Sequence, residues 1–341
     1  MRTELAFAAI GALAIVALLA FAGGAYVTHV AILSFLFAAL ATAWNVSVGF
    51  TGVKSFGHQA FYAVGAYASA LLCMHWGLSP WLGLLAGGAV AALTGVALGA
   101  PTLRLKSTAH VAIATLAFAE IIRIVISNAV PLTRGVLGLS GVPPLPSLTI
   151  PGVGSLNFQQ LDNTGYLVAS AVLFLLVFCA AAIVVRGPAG LALQAVRDGE
   201  AAAESLGIDL AKVKISVFVG TAFATGVCGA FYAHYIGVLT PDAVGAPDVM
   251  VAIMAITLVG GMGTLVGPVI GAFALVGLGE ALRAFGNYQL LVYGGLIVAT
   301  TLLAPGGLAP AAARFWRART QRAAPPAADA PPGGRGRLAD A

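Results

Sequence analysis

A chain of 341 residues with 60% hydrophobic and only 9% charged side chains, and a mean hydropathy of +0.98, has too little polar surface to face water. Soluble globular domains carry roughly 25% charged residues, so lipid must be the solvent for most of this chain. Its net charge of +5 is no nucleic-acid footprint: the basic residues sit at the ends of apolar runs and in the C-terminal stretch, as the positive-inside rule produces.

A membrane-spanning helix needs about 20 predominantly apolar residues. Runs at 5–24, 28–49, 56–75, 80–100, 108–127, 164–185, 215–239, 249–260, 264–281 and 288–304 predict an all-α, polytopic bundle of about ten hydrophobic segments. The first run ends in Ala20-Phe21-Ala22, which resembles a signal-peptide cleavage site. The run is already span-length, however, and Glu4 stands where a signal peptide is basic, so it is expected to remain as the first helix.

Between the second and third runs the apolar pattern is broken by Gly49, Gly52 and Gly57, and a later break contains Gly260, Gly261 and Gly263. Unwound backbone in a bilayer is tolerated only where protein buries it or where it lines a cavity. Paired breaks in two halves of a chain point to a substrate pathway, which Asn45 and His58 are placed to line. Glycines also let helices pack closely, and a lone histidine is commonly a packing residue. Both readings stay open at this point. His75, His110 and His234 show no partner in the sequence.

In the run 108–127, Glu120 and Arg123 lie three apart, on one helix face, and can pair. Ionisable groups inside a span are costly and commonly functional; a structural ion pair locking two helices is the alternative. Glu280 and Arg283 repeat the spacing near a helix end, where snorkelling into headgroups accounts for them. The stretch 128–163, rich in proline and glycine, reads as a loop. The run 249–260 spans only about half a membrane at about 1.5 Å per residue. With 264–281 it predicts either a re-entrant or broken helix pair, or two tilted crossings.

Lys54, Arg104, Lys106 and the segment 186–214, with Arg186, Arg197, Lys212 and Lys214, fall on one side if spans alternate. That side is the cytoplasm, with both termini. Residues 1–309 then form one transmembrane domain. Residues 310–341, rich in Pro, Ala, Gly and Arg, lack apolar periodicity and are expected to be a disordered cytoplasmic tail.

Within 186–214, Gly187-Pro188 breaks the preceding helix. Asp198 can cap a new one, Glu200 lies in its first turn and Gly207 can end it. A helix of about two turns results, with Ala201, Ala202 and Ala203 on its surface. A loop of this length between spans usually has a task. Cys73, Cys179 and Cys228 have neither metal-site nor disulfide spacing and read as small buried hydrophobes. No catalytic constellation or metal-ligand pattern occurs, no cofactor is called for, and no phosphate-binding G-x-x-x-x-G-K-[ST] is present.

The stretch GEAAAESLGI resembles the EAA loop of ABC importer permeases, with Glu200, Ala201, Ala202 and Gly207 matching in type and spacing. NVSVGFTGVKSFGHQAFYAVGAYASALL (45–72), PTLRLKSTAHVAIATLAFAEIIRIV (101–125), LVGGMGTLVGPVIGA (258–272) and LLAPGGL (302–308) resemble, in order, the LivM-like permeases of branched-chain amino acid ABC importers. The chain departs from that pattern at 132–142, where Arg134 stands at a position the family commonly fills with glycine. The resemblance implies an inner-membrane permease subunit, not itself an enzyme, that moves leucine, isoleucine or valine into the cytoplasm. It implies two ABC ATPase subunits, one of them coupled through the loop 186–214, a second related permease and a periplasmic substrate-binding protein as partners. Same-family transport of urea, amides or other small amino acids, and a stand-alone carrier or channel, are the alternative functions.

Overall fold

A computed structural model describes residues 24–281, 288–303 and 306–310, apart from 106, 151–153, 157 and 159–162. The first apolar run (save its last residue, Gly24), Arg283 and the tail beyond 310 therefore lie outside the described residues.

The described chain is all-α apart from two small two-stranded sheets. In chain order its helices are α1 (Ala25–Asn45), α2 (His58–Trp76), α3 (Pro80–Thr102), α4 (Thr108–Asn128) and α5 (Val130–Thr133). There follow α6 (Thr164–Arg186), α7 (Pro188–Asp198), α8 (Glu200–Ser205) and α9 (Leu210–Ile236). The last are α10 (Pro241–Gly245), α11 (Pro247–Gly260), α12 (Gly267–Ala281) and α13 (Tyr288–Leu303). Six helical stretches among the described residues are long and apolar enough to cross a membrane: Ala25–Phe50, Pro80–Thr102, Thr108–Asn128, Thr164–Arg186, Leu210–Ile236 and Pro241–Gly260. The chain is thus an integral membrane protein. His58, Gln59 and Ser69 lower the hydropathy of α2, and all three are buried in the bundle.

Local chemistry sets the helix ends. Proline stands in the first turn of α3, α7, α10 and α11, where its missing N–H leaves no intrahelical bond unmade. Gly77 and Gly237 end α2 and α9 in the left-handed conformation. Asp209 caps α9 by accepting from the Lys212 amide at 3.0 Å. That bond, with the Lys212 side chain, holds the Asp209 carboxyl below its usual range.

Two packing systems share the bundle. In the first, α1 is the buried axis, and its Phe35 ring meets Phe174 of α6 at 5.8 Å and Phe273 of α12 at 5.1 Å. In the second, α2, α3 and α9 cross at glycines and alanines. A methyl added at Gly65 of α2 would overlap the Gly226 carbonyl of α9, and one at Gly229 would overlap the Tyr62 carbonyl. On α3, a methyl at Gly87 would lie 2.5 Å from the Gly65 carbonyl oxygen, and one at Gly95 2.8 Å from Ala222. Small residues at a crossing bring backbones together, which is where dispersion between membrane helices comes from.

One end of the bundle, the basic end, gathers Lys54, Glu200 and Lys214 around a small cleft. At the opposite end the stretch 128–163, expected as a loop, carries strands. β1 (Leu139–Ser140) pairs antiparallel with β4 (Val238–Leu239), and β2 (Leu148–Ile150) with β3 (Gly154–Leu156). The loop is anchored further through His234, whose Nδ1 bonds the Pro143 carbonyl at 2.7 Å while Nε2 bonds Ser69 Oγ at 2.8 Å. Tyr166 donates to the His234 carbonyl at 2.8 Å. A histidine without partners in sequence is a structural clasp.

In the 249–281 region two apolar helices follow one another with a glycine break between them. Asp242, in α10, pairs with Arg123 at the end opposite the basic one. From there α10 and α11 run to the glycines 261 and 263, beside Asn45 and Arg197. The 20 residues of Pro241–Gly260 cover about 30 Å. The α10 turn thus supplies the length that 249–260 lacks. The chain then returns along α12 until Glu280 accepts a bond from Tyr26 in the first turn of α1, at 3.3 Å. The region is a broken pair of helices.

Candidate functional site

At the basic end the last turn of α1 widens into a π-helical turn, Val46–Phe50, and the chain then runs without helix to Gly57. This break is clasped to the turn between α11 and α12. Asn45 Oδ1 accepts from the Gly263 amide at 2.8 Å, and its Nδ2 donates to the Thr264 carbonyl at 2.8 Å. A methyl at Gly49 would stand 2.6 Å from the Gly263 nitrogen. Gly260 lies closer still against Gly267, and Gly261 meets Pro310 and the Gly306 carbonyl, so Gly306 and Gly307 lie over the same turn. Four of the glycines singled out by sequence (Gly49, Gly260, Gly261 and Gly263) therefore lie at one junction, with Asn45 as its tie, while Gly52 lies against Arg197. In this conformation the junction is packed shut.

Gly57 and His58 do not belong to that junction. Gly57 sits against Leu98 and the Thr115 carbonyl. His58 is fully buried at the start of α2, edge-on to Phe61 at 5.4 Å between ring centres. Neither of its ring nitrogens has a hydrogen-bond partner, and the same holds for Oε1 of the neighbouring Gln59. Buried polar atoms are normally satisfied, so these two side chains are the ones in α2 with unused bonding capacity.

The 186–214 segment folds as two helices separated by Gly199. Asp198 is not the cap: α7 runs through it, its carboxylate pairs with Arg197 Nε at 3.2 Å, and Gly199 holds the capping position with extended backbone. The helix predicted from Asp198 thus begins at Glu200, because an 11-residue helix with proline at its start already claims Asp198. Glu200 is fixed by Lys214 Nζ at 2.6 Å, a lysine whose side chain is only 10% exposed. Gly207 ends α8 with φ +84°, a conformation that favours glycine. Ala201 and Ala202 face outward, whereas Ala203 is buried, a correction to the expectation that all three lie on the surface. Two leucines of the segment stand clear of the protein, Leu191 at 72% and Leu206 at 80% exposure. Apolar side chains presented beside small ones at a basic, polar end suit a protein partner.

Arg123 donates to both Glu120 oxygens through Nε at 3.1 Å and to Asp242 Oδ1 through Nη1 at 2.7 Å. Asp242 lies 119 residues away in sequence. The network ties α4 to α10. The carboxylates are partly exposed, so each pair contributes modestly, about 0–1 kcal/mol. At 132–142, Arg134 has φ +59°, the left-handed region, followed by Gly135 at +62°. The backbone shape is one that favours glycine, and this chain bears an arginine in it.

An apolar groove of about 510 Å³ lies between α6 and α9 and reaches from Leu85 to Ala189 and Ser216.

Known proteins place this architecture. The LivM permease protein of the high-affinity branched-chain amino acid transport system of Escherichia coli (strain K12) is 33% identical over 298 residues, covering 82% of this chain and 69% of the relative. The LivM protein of Salmonella typhimurium is 32% identical over 303 residues, with the same coverages. A probable branched-chain amino acid transport permease protein LivH of Methanocaldococcus jannaschii is 27% identical over 276 residues, 76% of this chain and 83% of the relative. No solved structure matches the chain. The family described as the permease component of branched-chain amino acid transport systems matches residues 26–301, and the chain belongs to it: a membrane transport subunit rather than an enzyme.

Proposed function

We propose that this chain is the permease subunit of an ATP-driven importer that carries leucine, isoleucine or valine from periplasm to cytoplasm. Family membership and the names of the relatives support the transport class and the substrate. The observation that carries the mechanism is α8, a short helix at the basic end, pinned by the pairing of Glu200 with Lys214 and presenting Ala201, Ala202 and Leu206 outward. Through it, ATP hydrolysis on separate subunits drives alternating access.

In the finer reading, residues 1–309 form the permease domain with ten hydrophobic segments. Both termini are cytoplasmic, as is the 310–341 tail, because Lys54, Arg104, Arg197 and Lys214 share an end with the coupling loop. One of two ABC ATPases docks on residues 198–207, a second related permease completes the membrane pore and holds the other, and a periplasmic binding protein delivers the amino acid. The translocation pathway borders Asn45, Gly49, Gly52, Gly57, His58, Gly260, Gly261 and Gly263, with the glycine junction as its closed inner end. Glu120 and Arg123 serve as an ion pair that holds α4 in place.

Affinity purification of the tagged chain from native membranes in mild detergent tests the assembly. ABC ATPase subunits and a second permease are expected in the eluate by mass spectrometry. Recovery of the chain alone, from membranes in which those subunits are expressed, would refute it.

A further inference from the structure

We infer that Arg197 is the positioning residue that couples movement of the docking loop to the break in α1. The inference rests on the reading of 186–214 as the ATPase-coupling loop and names where its movement enters the membrane domain. Arg197 lies in the last turn of α7, and Nη1 donates to the Gly49 carbonyl at 3.2 Å while Nε pairs with Asp198 at 3.2 Å. Gly49 is inside the π-turn of α1, 148 residues away. The stem of the same arginine lies along Gly52, where an added methyl would be 3.1 Å from Arg197 Cγ and 3.3 Å from its Cα. Gly52 has φ +77°, so glycine there satisfies both the backbone and the approach of α7.

What Arg197 touches is the part of the bundle best placed to transmit. Gly49 abuts Gly263, and Asn45 clasps the 263–264 backbone from both sides, so α1 and the α11–α12 turn move as one unit at this point. On the other side, only Gly199 separates Arg197's helix from α8, the surface proposed for docking. Side-chain bonds that tie the loop to the membrane domain include Glu200 to Lys214 at the base of α9, and Arg197 to the end of α1. The first tie stays within the loop and the helix that follows it. The second reaches the glycine junction. Arginine suits this role because its fork holds the carbonyl and the Asp198 carboxylate together, which a lysine ammonium does not do in the same geometry. Its side chain is 40% exposed, so packing alone does not hold it there.

The test uses the complete importer reconstituted in proteoliposomes, with Arg197→Ala and Arg197→Lys beside the unsubstituted chain. ATPase co-purification, ATP hydrolysis and uptake of labelled leucine are measured on each. The expected result is that ATPases remain bound and hydrolysis continues, while leucine taken up per ATP falls about tenfold in Arg197→Ala, a size typical of coupling between sites. Arg197→Lys should lie between the two. An unchanged uptake-to-hydrolysis ratio, a proportionate fall in both rates, or release of the ATPases would overturn the role assigned to Arg197. Failure of the unsubstituted chain to bind ATPases would overturn the importer reading instead, so the two failures are distinguishable.

Discussion

Alanine at Gly65 is expected to destabilise the folded bundle by about 1–3 kcal/mol, the usual cost of forcing one extra carbon into a packed site. The same substitution at Gly220 should leave it unchanged or slightly more stable. The contrast is geometric. A methyl at Gly65 would overlap the Gly226 carbonyl of α9, and the Gly65 carbonyl is itself 2.5 Å from the position a methyl would take at Gly87. Backbone lies on both sides, so relief requires α2, α3 or α9 to shift as a unit. At Gly220, a methyl meets nothing within 4 Å, and alanine favours the helix. Thermal midpoints in detergent, read by loss of the monodisperse peak on size-exclusion chromatography, report the difference. Equal midpoints for the two variants would mean that the α2–α3–α9 crossing is not as close as described.

The second large effect is expected at the docking helix. Glu200→Arg combined with Ala202→Trp should weaken ATPase association about thirtyfold or more. That corresponds to the loss of one interface anchor of about 2 kcal/mol. ATP-dependent uptake should fall with it. The two substitutions act differently: Glu200→Arg sets a second cation against Lys214, whereas Ala202→Trp adds bulk to an outward-facing position. Ala202→Trp alone is therefore the cleaner probe, because nothing inside the chain has to move to admit it. Retained ATPase binding in both variants, with the permease still folded, would place the docking surface elsewhere.

The spans were legible because apolar length is a local property. The predicted runs 80–100, 108–127 and 164–185 differ from α3, α4 and α6 by at most two residues at either end. Boundaries set by distant contacts were not legible. The α10 turn that with α11 makes the apolar stretch 241–260 is too short to show as an apolar run of its own. Asp242 discloses itself as the partner of Arg123 only once α4 and α10 are side by side. Strands of two residues at 139–140 and 238–239 carry no period to detect. The glycine breaks at 49 and 260–263 are brought together by the fold, but sequence does not choose between an open path and a packed joint. The clasp by Asn45 shows a packed joint in this conformation. Arg197 reads in sequence only as one of the basic residues of its loop, because its acceptor is a backbone carbonyl, which no side-chain pattern announces.

The central claim is that this chain, with its partners, imports branched-chain amino acids at the expense of ATP. The most direct measurement is uptake of labelled leucine into proteoliposomes holding the complete complex, with the binding protein on the side away from the ATPases and ATP supplied to the ATPases. The account predicts uptake that requires both ATP and the binding protein, that unlabelled isoleucine and valine suppress, and that urea leaves unchanged. Uptake of urea or a short amide in place of leucine would contradict the substrate assignment. Leucine uptake by the chain alone, without ATP, would contradict the importer mechanism itself.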